Sequence, residues 1–223
     1  MGFIDQYRTV SDLPKSLAVF PLNGALLLPR AELPLNVFEP RYLDMIADAM
    51  AGSRLIGMIQ PQDEKSDVMG RPLLTKVGCA GRITSYMETP DSRLVVTLTG
   101  VCRFVVETEL IAVTTYRQIQ PDYEPYGSDL IKEHGQGEVD RAGLLKAFKD
   151  YLDANNLSAD WEQVQSASNE TLVNTLSLLA PYPPKEKQAL LEAGDLKTRA
   201  AVLVALTELA LGKQGAGPGT RLQ

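Results

Sequence analysis

The sequence is poor in the residues that carry most reaction chemistry. Its 223 residues include 1 histidine, His134, and 2 cysteines, Cys79 and Cys102. A Ser-His-Asp triad would have to be assembled around His134, which stands in the polar run Glu133-His134-Gly135 without a rigid seat. It reads as an exposed histidine of a connecting segment. One histidine and two cysteines set in strand-like segments give no metal-ligand spacing, so neither a metal nor a cofactor is expected. The cysteines make no disulfide framework and read as reduced core thiols. Basic charge is short as well: 22 Lys and Arg stand against 28 Asp and Glu, a net charge of −6. Broad capture of nucleic acid depends on Lys and Arg displacing counterions, and this balance opposes it. No apolar run approaches the roughly 18 residues of a membrane span. Met1 to Val10 mixes acid and base without the apolar centre of a secretion signal. The chain is therefore expected in the cytoplasm, away from membranes. A Gly-x-x-x-x-Gly-Lys-Ser/Thr phosphate loop is missing too, since Gly212-Lys213 falls in a polar tail without a preceding strand.

What is present is a dense β opening. Leu17 to Tyr42 alternates short apolar runs with prolines at 21, 29, 34 and 40. Each proline fixes φ and removes a donor, so each ends or bends a strand. Strand signals fall at about 16–20, 25–28 and 32–37. Glu39-Pro40 opens a helix whose apolar face is Leu43, Ile46, Ala47 and Met50, closed by Gly52. Glu39 is expected to bond the backbone donors at the start of that helix, with Arg41 bracing a neighbour. Arg54 to Gln60 is a further strand, and Pro61 to Pro72 a polar loop. Leu74 to Gln120 is almost all strand, with a hairpin turn at Thr89-Pro90-Asp91-Ser92 and a bend or bulge at Gly100. Strands of this number and spacing suggest a closed or nearly closed barrel.

Composition changes after residue 122. Residues 123–137 read as a linker, and 138–211 as a helical bundle with apolar faces on Leu144, Leu145, Phe148 and Leu152, on Leu172, Leu176 and Leu179, and on Val202, Leu203 and Leu206. Pro183-Pro184 opens a helix ended by Gly194, and Asp195 caps the last one. Residues 1–14 read as a mobile arm, 15–122 as the β subdomain and 212–223 as a disordered tail. The fold class is α+β: an amino-terminal β-barrel subdomain with one helix, then a carboxy-terminal helical bundle.

Three ordered motifs carry a family resemblance. The first is Val19-Phe20-Pro21-Leu22 followed by Leu33-Pro34-Leu35-Asn36-Val37-Phe38-Glu39-Pro40-Arg41-Tyr42. The second is Val77-Gly78-Cys79-Ala80-Gly81-Arg82-Ile83. The third is Leu98-Thr99-Gly100-Val101-Cys102-Arg103-Phe104. Together they resemble the amino-terminal, substrate-binding domain of ATP-dependent Lon proteases over roughly residues 15–211. That resemblance implies a PUA-like β subdomain followed by a helical bundle. It gives Pro21, Pro34, Phe38, Glu39, Arg41, Tyr42, Gly81, Gly100 and Phe104 a structural part. It also implies a stand-alone, non-enzymatic module for substrate recognition and assembly. Unfolded or extended polypeptides, a Lon protease or another protein are the implied partners, with room for a homo-oligomer. An RNA-binding PUA-like module is the alternative, and a small hydrolase a third.

The residues left outside a core by the strand pattern are the candidate binding surface. Tyr86, Met87 and Val95 lie near a hairpin tip or on an outward face, and Tyr123 and Tyr126 lie in the boundary segment. Extended peptides are recognised by exposed apolar and aromatic surface, sometimes by adding a strand to a sheet edge.

Overall fold

The computed structural model describes residues 4–67 and 70–215. They form two compact units: residues up to Lys132 together with Tyr182–Leu191, and Glu133–Pro181 together with the residues from Glu192 onward.

The first unit is built on six strands: β1 (Leu17–Pro21), β2 (Glu32–Val37), β3 (Leu55–Ser66), β4 (Pro72–Glu88), β5 (Leu94–Glu109) and β6 (Arg117–Asp122). Five of them close a barrel in the order β5-β4-β3-β1-β6, with β6 returning to β5. β5 is long enough to serve two neighbours on one edge. Leu94–Thr99 pairs with β2, and Val105–Glu109 pairs with β6. β1 and β3 run parallel. A parallel pair needs a crossover, and the connection between them holds β2 and helix α1 (Pro40–Ala51). Pro40 opens α1 because an N–H at the first helical position would have no acceptor within the helix, so proline costs no bond there. Val19, Phe104 and Ile119 are buried on one face of this sheet, and Ile56, Met58 and Cys79 on the other.

Several local expectations change in three dimensions. Residues 25–28 form no strand; Leu26, Leu27 and Leu28 are buried in an irregular segment bridged at Pro29 to Gly100. The polar stretch expected as a loop from Pro61 is in part strand, since β3 continues through register shifts to Ser66 and β4 starts at Pro72; Val68 and Met69 lie outside the described residues. In the arm expected to be mobile, Tyr7 and Leu13 are buried, and the Arg82 guanidinium donates to the Tyr7 hydroxyl (2.8 Å). Residues 1–3 of that arm are outside the described residues. Glu39 places no side-chain bond on the start of α1 and instead accepts from Arg41 Nε (3.0 Å), while the Arg41 guanidinium lies 4.5 Å from the centre of the Tyr42 ring.

The expected linker is the largest change. Glu124–Leu130 is a 3-10 turn, with Tyr123, Tyr126 and Asp129 buried. Asp129 accepts from Arg103 Nε and Nη2 (both 2.8 Å) and from the Arg103 main-chain N–H (3.0 Å). Arg103 also donates to the Leu191 carbonyl (3.0 Å) and lies 4.1 Å from the centre of the Tyr126 ring. Helix α5 (Pro184–Glu192) follows the same logic. The sequence puts it in the bundle, yet the buried Gln60 amide donates to Pro184 O and Gln188 Oε1, Gln188 donates to Val77 O, and Lys187 to Gly24 O. Polar groups that a helical pattern leaves as a solvated face are what hold α5 on the barrel.

The second unit contains α2 (Arg141–Ala154), α3 (Trp161–Ser166), α4 (Asn169–Leu179) and α6 (Leu196–Gly215). Side-chain oxygens of Asp140, Asp160 and Ser168 cap α2, α3 and α4. Leu144, Ala147, Leu172, Val173, Ala200 and Leu203 are buried here. The helix expected to end at Leu211 continues to Gly215, and 216–223 of the expected tail lie outside the described residues.

Asp195 starts α6 by accepting from the Thr198 N–H (2.7 Å), and this bond, with the Thr198 hydroxyl, holds its carboxyl below the usual value. A depressed folded pKa means the cap contributes above the unfolded carboxylate value and is lost as pH falls through the folded one. The protection factors of the amides at the start of α6, corrected for the intrinsic pH dependence of exchange, should therefore fall below about pH 4. Asp195→Asn should flatten that dependence, and Asp195→Ala should cost about 1 kcal/mol at neutral pH. Equal pH profiles for the wild type and Asp195→Asn would contradict this role.

Candidate functional site

Where β2 extends the sheet beyond the barrel, the ends of β4, β5 and β2 carry exposed apolar side chains. In register, Met87 faces Val95, which faces Asn36. Tyr86 faces Val96, which faces Leu35. Neighbouring residues of a strand point to opposite faces, so the structure brings Met87 and Val95 together and puts Tyr86 on the other side of the ribbon. Met87 is 56% exposed, Tyr86 46%, and Val95 half-buried. Val96 and Leu35, the partners of Tyr86, are buried, so Tyr86 is a rim residue of the inner face. Phe38, 61% exposed, stands just past β2 with the Arg93 guanidinium 5.6 Å from its ring centre. From the sequence, Phe38 has only a structural part. The alternation of Glu32–Val37, buried at Leu35 and Val37 and exposed at Pro34 and Asn36, is the signal that points to its exposure.

The hairpin beyond this face is held by its own polar groups. Thr89 N–H donates to Arg93 O (2.9 Å), and the Arg93 guanidinium pairs with Asp91 (2.9 Å). The Thr89 hydroxyl donates to Asp91 and, with Arg93 beside it, holds that carboxyl below its usual range. The turn is thus fixed without contributions from the apolar residues.

Tyr123 and Tyr126 are not part of this surface. Tyr123 packs edge-on against Phe104, with ring centres 6.3 Å apart, and Tyr126 lies under Arg103. The segment that carries them supplies Asp129, the buried partner of Arg103, and a pairing across 26 positions leaves no local signal in the sequence. Cys79 and Cys102 are buried free thiols. Cys102 donates to the Arg103 and Tyr126 carbonyls, and burial pushes its thiol well above the usual range. Such a thiol is a poor nucleophile. His134 is exposed. Among the described residues, no three His, Cys, Asp or Glu side chains gather to hold a metal ion, and no helix is long and apolar enough to cross a membrane.

A second opening, a cleft of about 730 Å³, lies beneath the segment joining β5 to β6. Arg117 pairs there with Glu109 (2.6 Å) and donates to Pro72 O, and Arg71 pairs with Asp67 (2.8 Å). The cationic groups are thus matched by acids and brace the loops around them. Tyr116 donates to Asp48 (2.7 Å); burial and this carboxylate push its hydroxyl up to about 12. Ile111 and Val113 at the tip of the segment are open to solvent.

The chain has recognisable relatives. The ATP-dependent protease La (LON) substrate-binding domain matches residues 16–208. The Lon protease of Flavobacterium johnsoniae is 27% identical over 201 residues, covering 85% of this chain and 23% of that protein. The Lon protease of Desulfosudis oleivorans is 29% identical over 209 residues, covering 88% of this chain and 24% of that protein. The chain thus spans about a quarter of the length of these curated relatives. Among solved structures, a Lon N-terminal domain protein from Xanthomonas campestris superposes with a TM-score of 0.62 at 24% identity, over 85% of this chain and 97% of that one. The N-terminal domain of the Mycobacterium avium complex Lon protease superposes with a TM-score of 0.64 at 16% identity, over 87% and 98%. These structures share the barrel-and-helix fold anticipated from the three motifs. With the domain match spanning most of the chain, this protein belongs to the LON substrate-binding domain family.

Proposed function

We propose that this domain is a non-enzymatic module that captures unfolded or extended polypeptide in the cytoplasm, and that it does so with the face carrying Met87 and Val95, extended by Phe38. Tyr86 supplies the rim. The observation that carries the reading is the exposure of large apolar side chains on neighbouring strands: Met87 at 56% and Phe38 at 61% beside half-buried Val95. Contiguous exposed apolar area marks interaction sites. The family supports polypeptide as the ligand class, and a Lon protease or another protein is the partner to which captured segments would pass. No carboxylate pair or nucleophile–base pair lies among these residues, so recognition rather than turnover is the chemistry they offer.

The test is a titration with a fluorescently labelled, reduced and carboxymethylated protein that cannot refold. Wild type should bind in the micromolar range. Met87→Ser should weaken binding about fivefold, the loss expected when one large apolar contact of about 1 kcal/mol is removed. No binding at tens of micromolar, or unchanged binding by Met87→Ser, would count against this reading.

A further inference from the structure

β2 is where the sheet stops. It pairs with β5 on one side, and no strand of the described residues lies on the other. The ladder fixes which of its main-chain groups are open. The Gly100 N–H donates to the Ala31 carbonyl (2.9 Å), immediately before the register pair Glu32–Thr99. Antiparallel bonds alternate along a strand. Leu33, Leu35 and Val37 therefore turn their amide groups toward β5, and Glu32, Pro34 and Asn36 turn theirs outward. Pro34 has no N–H to give, and its place in the outward set is where a proline costs the sheet nothing. Among the described residues, no hydrogen bond reaches the outward groups of Glu32, Pro34 or Asn36.

The side chains beside this edge have a definite character. Glu32, Pro34 and Asn36 are exposed, and Asn36 heads the row that continues through Val95 to Met87. Phe38 closes the row's end. A strand laid along β2 would put alternate side chains over Pro34, Asn36 and Phe38, against apolar surface. Two residues beyond Pro34 it would meet the carboxylate of Glu32.

We infer that β2 is a strand-addition site for an extended polypeptide, taking apolar side chains beside Asn36 and Phe38 and a basic side chain opposite Glu32. The inference rests on the polypeptide-binding reading above and adds the mode, the edge and the register. Main-chain bonds hold the segment, so many sequences are accepted, and the apolar row and Glu32 rank them. Pro34 removes one donor from the middle of the edge. It keeps two copies of β2 from zipping fully together while leaving the two flanking donors for a ligand.

The probe is a labelled synthetic peptide that alternates Thr with Val and Phe and carries one Lys. Asn36→Pro deletes an outward donor and no ladder bond. It should weaken the peptide about tenfold, the effect of one lost hydrogen bond with its buried partner left unmatched. Peptides N-methylated on alternate residues test the same bond without altering the protein. One alternate set should abolish binding and the other should be tolerated. In the wild-type complex, the Glu32 and Asn36 amides should become protected from hydrogen exchange. If the peptide binds and Met87→Ser weakens it, but Asn36→Pro and both N-methylated sets bind like the parents, strand addition is overturned and the apolar face stands. If the wild type binds the carboxymethylated protein but not the peptide, strand addition at β2 fails and the polypeptide-binding reading stands; if it binds neither, both readings fail. Should Asn36→Pro lose its native circular dichroism, the N-methylated series decides.

Discussion

Asp129→Ala should destabilise the protein by about 3–5 kcal/mol, the cost of leaving one member of a buried ion pair without its partner. The side chains of Arg103 and Asp129 are 2% and 8% exposed and meet at 2.8 Å. One carboxylate receives three bonds from Arg103, and the Asp129 carbonyl receives a fourth from Arg30 (2.7 Å). Removing it takes the carboxylate away from a buried guanidinium that lies against the Tyr126 ring and donates to the Leu191 carbonyl. A urea titration of the variant should show a large fall in midpoint. The double change Arg103→Met with Asp129→Leu should recover most of the loss, because an apolar pair of similar volume carries no desolvation penalty. A double variant as unstable as Asp129→Ala would mean that the bonds themselves, and not the unpaired charge, set the cost.

Gly100→Ala should cost at least about 3 kcal/mol, the upper end of the range for forcing extra atoms into a packed site. A Cβ on Gly100 would lie 2.0 Å from the Leu28 carbonyl oxygen and 2.7 Å from its carbon. The obstacle is backbone, so no side-chain rotation relieves it. The segment that would have to move is the one tied to Gly100 by the Arg30 N–H (2.8 Å) and holding the buried Leu26, Leu27 and Leu28. Gly137→Ala is the control: nothing lies within 4 Å of its Cβ position, and a change within about 0.5 kcal/mol is expected. Comparable unfolding midpoints for Gly100→Ala and the wild type would show that the crossing can slide, and that the bulge between Gly100 and Cys102 is not held by this contact.

The candidate surface was legible only in part. The alternation of apolar and polar residues in β4 and β5 marks Met87 and Val95 as outward, and pairing confirms that they share a face. The same alternation cannot tell a buried inner row from its exposed end. Tyr86 sits on the inner parity yet is open, because it lies near the end of β4. Tyr123 and Tyr126 depart from the local pattern for the opposite reason and are buried. A segment rich in Pro, Gly and charge reads as a linker, but one aspartate in it meets an arginine 26 positions earlier. A pairing at that separation leaves no local pattern.

By itself, the sequence determined the helices that begin at Pro40, at Pro184 and after Asp195, the hairpin at Thr89–Ser92 and the α+β class, because caps, turns and periodicity act within a few residues. Its three motifs also determined the family. The tertiary structure alone decided that β6 closes the barrel on the far half of β5, that α5 rests on the barrel, that Arg103 finds Asp129, and that β2 is left with an open edge. Each of these depends on which groups remain unpaired once the neighbouring strands are in place. Hydrogen-bond demand of that kind is set by register across the sheet, and register is a property of strands together rather than of any one of them.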